Sequence, residues 1–242
     1  MTRVIASIEA RMGSSRLPGK VLADVCGQPA LTRLLRRLRR CKTLDGIILA
    51  TSYLPQDDPL EGWAISENLP FHRGSEEDVL LRVVEAQRKM KSDVVVEITG
   101  DCTIIDPEII DMGVTTFLEN DCDVVRTKET YPCGMDVLVY KLSILEENER
   151  IIHDPLVREH VAYYIVNHPE IYRIIILCAP GRWHSPTYRF MLDYPEDLTF
   201  IREVYKRLEP KYGDEFGLEE IMTLVKDNPD LLEINIHCGR NR

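Results

Sequence analysis

Eleven residues near the start of the chain, Ala10-Arg11-Met12-Gly13-Ser14-Ser15-Arg16-Leu17-Pro18-Gly19-Lys20, join three cations to two glycines and two serines with no acid among them. Small residues let backbone N–H groups approach phosphate oxygens, and Arg11, Arg16 and Lys20 supply countercharge, so the stretch suits a polyphosphate. It is not a Walker A loop, which needs G-x-x-x-x-G-K-[ST]. Five residues separate Gly13 from Gly19, and Val21 stands where a magnesium-binding hydroxyl belongs. The dinucleotide pattern G-x-G-x-x-G is missing too. A solvated basic loop is the plain alternative, but stability alone gives no reason for this composition directly after a first strand.

Magnesium held with a nucleoside triphosphate takes one or two carboxylates plus phosphate oxygens. Asp101 and Asp193 each follow an apolar run, VVVEIT and TYRFML, and are expected at the same sheet edge as the cationic loop. Open α/β sheets bind ligands beyond the carboxyl ends of their strands. Asp106 and Asp154 precede Pro107 and Pro155 and read as helix caps, and Asp197 faces the dipole of its own helix. Asp121-Cys122-Asp123 spells the D-x-D triplet of many glycosyltransferases, but it precedes its strand and belongs at the opposite edge. An acceptor must be read by the second half, where Asp136, Glu159, His160, His184 and Arg189 are the candidates. His160 lies seven residues from His153 on an amphipathic helix, a setting that favours a histidine satisfied within the fold over an acceptor contact.

Strands are expected at Arg3–Ala10, Asp45–Ser52, Phe71–Arg73, Asp93–Thr99, Cys122–Arg126, Asp136–Tyr140, Tyr172–Cys178 and Tyr188–Leu192. Helices are expected from Pro29 onward, then over Leu60–Asn68, Ser75–Met90, Pro107–Glu119, Pro155–Asn167, Glu196–Leu208 and Leu218–Lys226. Ser75 is read as an N-cap with Asp78 as its capping-box partner. Alternation at this spacing predicts βαβ units: an α/β fold whose mixed, mostly parallel sheet carries helices on both faces, over residues 1–242 as one domain. In the first helix Leu31, Leu34, Leu35 and Leu38 form the apolar stripe, and the arginines between Arg33 and Arg40 are expected on a solvated face; a docking face for an acidic partner is the alternative.

The formal charge is -10, which argues against a nucleic-acid clamp. Residues 1–42 nevertheless sum to +8, leaving -18 on the rest. Seven scattered cysteines without a Cys-x-x-Cys pair support neither a zinc ribbon nor a redox motif. The first strand-like segment begins at Arg3, with no signal peptide before it, and no apolar run nears a membrane span; a reducing cytoplasm is the expected compartment.

Glu9 to Lys20 resembles the first motif of the sugar-acid cytidylyltransferases, the group of the CMP-KDO and CMP-sialate synthetases, and most closely their spore coat polysaccharide branch. The resemblance continues through Arg73-Gly74-Ser75-Glu76-Glu77-Asp78-Val79-Leu80, Ile98-Thr99-Gly100-Asp101, Gly134-Met135-Asp136-Val137, Arg158-Glu159-His160-Val161 and Leu192-Asp193-Tyr194-Pro195-Glu196-Asp197-Leu198. It implies a nucleotide-diphosphosugar transferase-like (Rossmann-like) fold, transfer of CMP from CTP to an anionic acceptor, and release of pyrophosphate. Ala10, Arg11, Gly13, Ser14, Ser15, Arg16 and Lys20 would then cradle the nucleotide, with Arg11 and Lys20 on the triphosphate. Asp101 and Asp193 would carry Mg2+, and Arg73 and Ser75 would lie near base and ribose. Cys102-Thr103 stands where the branch often has Cys-Pro, which bears on acceptor contacts but spares the carboxylate. A homodimer fits the resemblance. Other nucleotidyltransferases differ only in base contacts, a glycosyltransferase would lack the cationic loop, and a non-catalytic binding module would lose one of Arg11, Lys20, Asp101 or Asp193.

Overall fold

Apolar, β-branched runs build the strands, and leucine- or valine-striped segments build the helices between them. The computed structural model describes residues 2–239. In chain order it runs β1 (Val4–Glu9), a small hairpin of β2 (Asp24–Val25) and β3 (Gln28–Pro29), α1 (Ala30–Leu38), β4 (Gly46–Ser52), α2 (Asp58–Ser66) and β5 (Phe71–Gly74). Next come α3 (Val79–Met90), β6 (Val94–Thr99), α4 (Pro107–Glu119), β7 (Val124–Thr127), β8 (Leu138–Lys141) and α5 (Leu142–Ile151). The chain then passes through α6 (Pro155–Glu159), α7 (Tyr163–Asn167), β9 (Ile174–Leu177), α8 (Pro195–Tyr212), α9 (Leu218–Asp227) and α10 (Asp230–Glu233).

Seven strands form one sheet in the order β5-β4-β1-β6-β8-β7-β9. β8 is antiparallel to both its neighbours and every other pair is parallel, so the expected mixed, mostly parallel sheet is what forms. Alternation along each strand divides the core. Ala6, Ile8, Leu49, Val96 and Ile98 pack with α1, α4, α8 and α9 on one face. Ile5, Ile48, Val95 and Tyr140 pack with α3, α5 and α7 on the other.

Five expectations need correction. The 155–167 segment is two five-residue helices, because Val161 and Ala162 turn inward into the core and break the path between them. Tyr188–Leu192 is not a strand of the sheet: Phe190 and Leu192 are both buried, and their N–H groups bond the carbonyls of Cys133 and Asp101 at 2.8 and 2.9 Å. α5 was not foreseen; it starts directly where β8 ends, with no loop to announce it. The cap of α3 is Asp78, whose carboxylate accepts from the Leu81 N–H at 3.0 Å, while the Ser75 hydroxyl accepts from the Asp78 N–H one turn earlier. Arg33 and Arg37 are not solvated. Both are fully buried, because acids and carbonyls from the far end of the chain meet them: Arg33 pairs with Glu209 and Asp214 at 2.5 and 2.8 Å, and Arg37 donates to the Phe216 carbonyl at 3.0 Å. Their guanidinium planes stack on Tyr205 and Phe216, 4.3 Å from each ring centroid.

Candidate active site

The cationic loop leaves β1 and folds back on itself at Met12, whose carbonyl accepts from the N–H groups of Ser14 and Gly19 at 2.9 and 3.0 Å. Gly19 sits at φ 72, the left-handed conformation that closes the loop into the short turn Lys20–Leu22. From the other side the Met12 N–H donates to Asp57 at 2.7 Å, and the Ser52 hydroxyl holds the other oxygen of that buried carboxylate. The sequence reading missed Asp57. A buried acid after a turn carries no local signature.

The loop delivers Lys20 to the two proposed metal carboxylates. Its Nζ lies 2.9 Å from Asp101 Oδ2 and 2.6 Å from Asp193 Oδ1. Arg16 reaches Asp193 Oδ2 at 3.0 Å, and Arg189 reaches the same oxygen at 3.3 Å. Burial pushes the Asp193 carboxyl up, but Lys20 above all, then Arg16 and Arg189, outweigh it and hold the group below the ordinary aspartate range. Asp101 is steadied by the Thr99 hydroxyl at 2.6 Å. Because both aspartates contact one ammonium, their oxygens converge on a single point, and a pair of hard oxygen donors there fits a magnesium ion.

Asp193 owes its place to Asp197, which does more than face a helix dipole. The fully buried Asp197 accepts from the backbone N–H groups of Asp193 and Tyr194, both at 2.9 Å, and from Asn235 at 2.9 Å. It also takes two bonds of 2.8 Å from Arg189. Arg189, expected to read an acceptor, thus spends its donors on Asp197 and Asp193 and holds the loop that carries them. Gly134 lets this loop come close: at φ 94 its absent Cβ would lie 2.7 Å from the Met191 nitrogen.

The remaining expected residues scatter. Arg11 lies between Glu76 at 3.7 Å and Glu159 at 3.6 Å, so Glu159 sits beside the cationic loop. Arg158 fixes α6 by pairing with Asp78 at 2.6 Å. Arg73 spends its donors on Glu61, Asp58 and the carbonyls of Ser52 and Leu54 at 2.6 to 2.9 Å, a clamp on the loop after β4. Ser75 is likewise occupied locally. His160 is exposed beside the Tyr163 ring, and His184 is exposed at the end of the turn Gly181–Trp183; neither lines the cleft beside Asp101. That cleft, of about 230 Å³, is lined by Asp136 together with Glu97, Thr99, Arg126, Glu129 and Val166. The surrounding walls push the Asp136 carboxyl up, partly offset by its bond from the Gly134 N–H at 3.3 Å.

Asp121 and Asp123 sit at the opposite sheet edge, bound to Arg173, with Lys141 on Asp123 at 2.8 Å. The D-x-D triplet thus holds strand ends together. Glu9 and Glu97 were passed over, although an acid inside the apolar run VVVEIT was a visible signal.

The chain matches the cytidylyltransferase family over residues 5–227. It belongs to that family. This cytidylyltransferase is 35% identical over 236 residues to the spore coat polysaccharide biosynthesis protein SpsF of Bacillus subtilis, covering 95% of this chain and 97% of that one. Among solved structures it is similar to a cytidylyltransferase from Leptospira borgpetersenii, with a TM-score of 0.90 and 28% identity, covering 96% and 97% of the two chains. A CMP:2-keto-3-deoxy-manno-octonic acid synthetase complexed with CTP shares the fold at a TM-score of 0.64 and 17% identity, covering 85% of this chain and 99% of that one. The cytidylyltransferase is accordingly an enzyme of the nucleotidyltransferase class. No helix among the described residues is long and apolar enough to cross a membrane.

Proposed function

We propose that this cytidylyltransferase transfers CMP from CTP to a hydroxyl of a sugar acid, with magnesium, releasing pyrophosphate for surface polysaccharide or glycoconjugate synthesis. The observation that carries this reading is the meeting of Lys20, Arg16, Asp101 and Asp193 within 3.0 Å at the end of the Gly- and Ser-rich loop. Arg11, Arg16 and Lys20 bind the triphosphate and stabilise the negative charge that accumulates on the leaving pyrophosphate. Gly13 and Ser15 present backbone N–H groups to it, while those of Ser14 and Ala10, held by the carbonyls of Met12 and Ala50, shape the loop. Asp101 and Asp193 would hold Mg2+, which when bound neutralises phosphate charge and polarises the α-phosphate. The acceptor lies in the cleft beside Asp136 and attacks the α-phosphorus in line, so catalysis is mostly positioning. The cleft's guanidinium, Arg126, pairs with the exposed Glu129 at 2.6 Å, a surface pair weak enough to yield to an acceptor carboxylate.

Seven unpaired thiols support a reducing, cytoplasmic setting. Exposed Ile151, Leu156, Tyr163 and Ile171, carried by α5 to the start of β9, support the homodimer that the resemblance implies. The decisive experiment measures pyrophosphate release with each nucleoside triphosphate against a panel of sugar acids, sugar phosphates and phosphonates. CTP with a sugar acid should give the highest kcat/KM; no release with any pair overturns the reading. Asp101→Asn and Asp193→Asn should each lower kcat at least about a hundredfold while leaving the circular dichroism spectrum unchanged. Full turnover in both variants would remove the metal role of these carboxylates.

A further inference from the structure

One pair of carboxyl groups has no part in holding nucleotide or metal. Glu9 ends β1 and Glu97 lies within β6, on adjacent parallel strands where Ser7 is paired with Glu97 and Glu9 with Thr99. The alternation of both strands turns the two side chains to the same face, the one covered by α3, α5 and α7. Neither makes a salt bridge among the described residues. Glu9 Oε1 is buried without a hydrogen-bond partner. Glu97 accepts one bond, from the Tyr140 hydroxyl to Oε2 at 2.8 Å, and lines the cleft beside Asp101. Thr99, two residues on and on the same side of β6, bonds Asp101 directly at 2.6 Å. A group lining the cleft at Glu97 is therefore about 7 Å along the strand from the residue that contacts the metal carboxylate.

The reaction needs a proton acceptor. When an acceptor hydroxyl attacks the α-phosphorus, the new oxygen–phosphorus bond forms, the bond between the α-phosphorus and the bridging oxygen breaks, and pyrophosphate leaves with the electron pair. The hydroxyl proton must go elsewhere. We propose that Glu97 is the catalytic base that takes this proton from the acceptor hydroxyl, and that Glu9, on the neighbouring strand, is a positioning residue for it. The proton then leaves through the open mouth of the cleft to water.

Burial, with no cation to relieve it, raises Glu97 to about 7 despite the Tyr140 bond. Burial first, then Glu97, and to a smaller degree Asp101, hold Glu9 well above the glutamate range, against the pull of Arg82. Arg82, on α3, is the cation that pulls on Glu9, but it donates to the carbonyls of Ser75 and Glu76. Around the pair stand Tyr140 on β8, which bonds Glu97, Arg82 on α3, which acts on Glu9, and Arg126, Glu129 and Asp136 across the cleft from Glu97. Two buried carboxyl groups side by side, neither in a salt bridge among the described residues, resist ionising together, so the pair holds one proton, on Glu9, and offers one basic site, Glu97. A base poised near the operating pH is the efficient one.

This inference rests on the acceptor reading above, so its test has two arms. With CTP, Mg2+ and 3-deoxy-manno-octulosonate as the probe acceptor, wild-type kcat should fall on the acid side of neutrality. Glu97→Gln should lower kcat about 10²- to 10⁴-fold and abolish that acid limb, with the KM for CTP unchanged. Glu9→Gln should lower kcat less than Glu97→Gln does and leave the acid limb in place, since Glu9 already carries the pair's proton while Glu97 is ionised. An acid limb that survives in Glu97→Gln, or an effect confined to the KM of the acceptor, overturns the proposal. If the wild type does not turn over this probe, the acceptor reading fails instead. Infrared spectroscopy of ligand-free, ¹³C-glutamate-labelled protein then decides: a protonated-carboxyl band that titrates near neutrality and shifts in both variants supports the pair, and its absence from the wild type overturns it.

Discussion

Asp193 meets three cations, Lys20, Arg16 and Arg189, before any ligand arrives. A divalent ion coming alone must displace the Lys20 ammonium and approach a point already neutralised, whereas one coming with a triphosphate gives Lys20 and Arg16 new anionic partners. Lys20→Met should therefore bind Mn2+ at least about tenfold more tightly than the wild type in the absence of nucleotide, measured by calorimetry. Equal or weaker binding would show that Lys20 does not compete with the ion. The same residue-by-residue reasoning gives a pH dependence at Glu97. Its folded-state value of about 7 lies above the unfolded value near 4.3, so the folded protein binds the extra proton between them. That contribution favours folding below about pH 4.3 relative to higher pH, and it is lost progressively as pH rises through 7. Thermal scans should show stability declining across this window in the wild type and a flatter profile in Glu97→Gln.

At the level of elements, α1 is the one most changed by seeing its neighbours. Its leucine stripe was legible at 3.6-residue spacing, and so were the parallel strands, since periodicity is a local property. Where the arginines go was not legible. Burial of Arg33 depends on Glu209 and Asp214, which lie in α8 and just beyond it, and no local pattern announces a partner 176 residues away. Arg33→Met should cost about 3 kcal/mol in urea unfolding, because Glu209 and Asp214 lose a buried partner. The site divides in the same way. The cationic loop and Asp101 stood out because each follows a strand directly. Asp193 was found for a partly wrong reason, since the run before it is no strand and Asp197 places it through side-chain bonds. Glu9 and Glu97 become a pair only through register between β1 and β6, which the order of residues does not state.

Across the whole molecule, the charge split of the chain becomes a division of labour. The excess of positive charge in the first 42 residues is shared between the phosphate loop and the buried pairs of α1, while acids from later segments come to meet both. CTP and Mg2+ together should raise Tm by about 5–10 °C at a hundred times the dissociation constant, and Mg2+ alone by far less. A full shift with Mg2+ alone would contradict the competition by Lys20. The single reversed strand carries one more consequence. Loops that leave β1 and β6 bring the cationic loop and Asp101 to one edge, but β8 runs the other way, so the loop that enters it, residues 128–137, arrives at that same edge. On the proposed reading, nucleotide and acceptor are thus served by segments with separate sequence addresses on one sheet. Grafting residues 128–137 from a relative onto this chain should change which acceptor is used while CTP binding stays as it was, a modularity that a wholly parallel sheet would not offer.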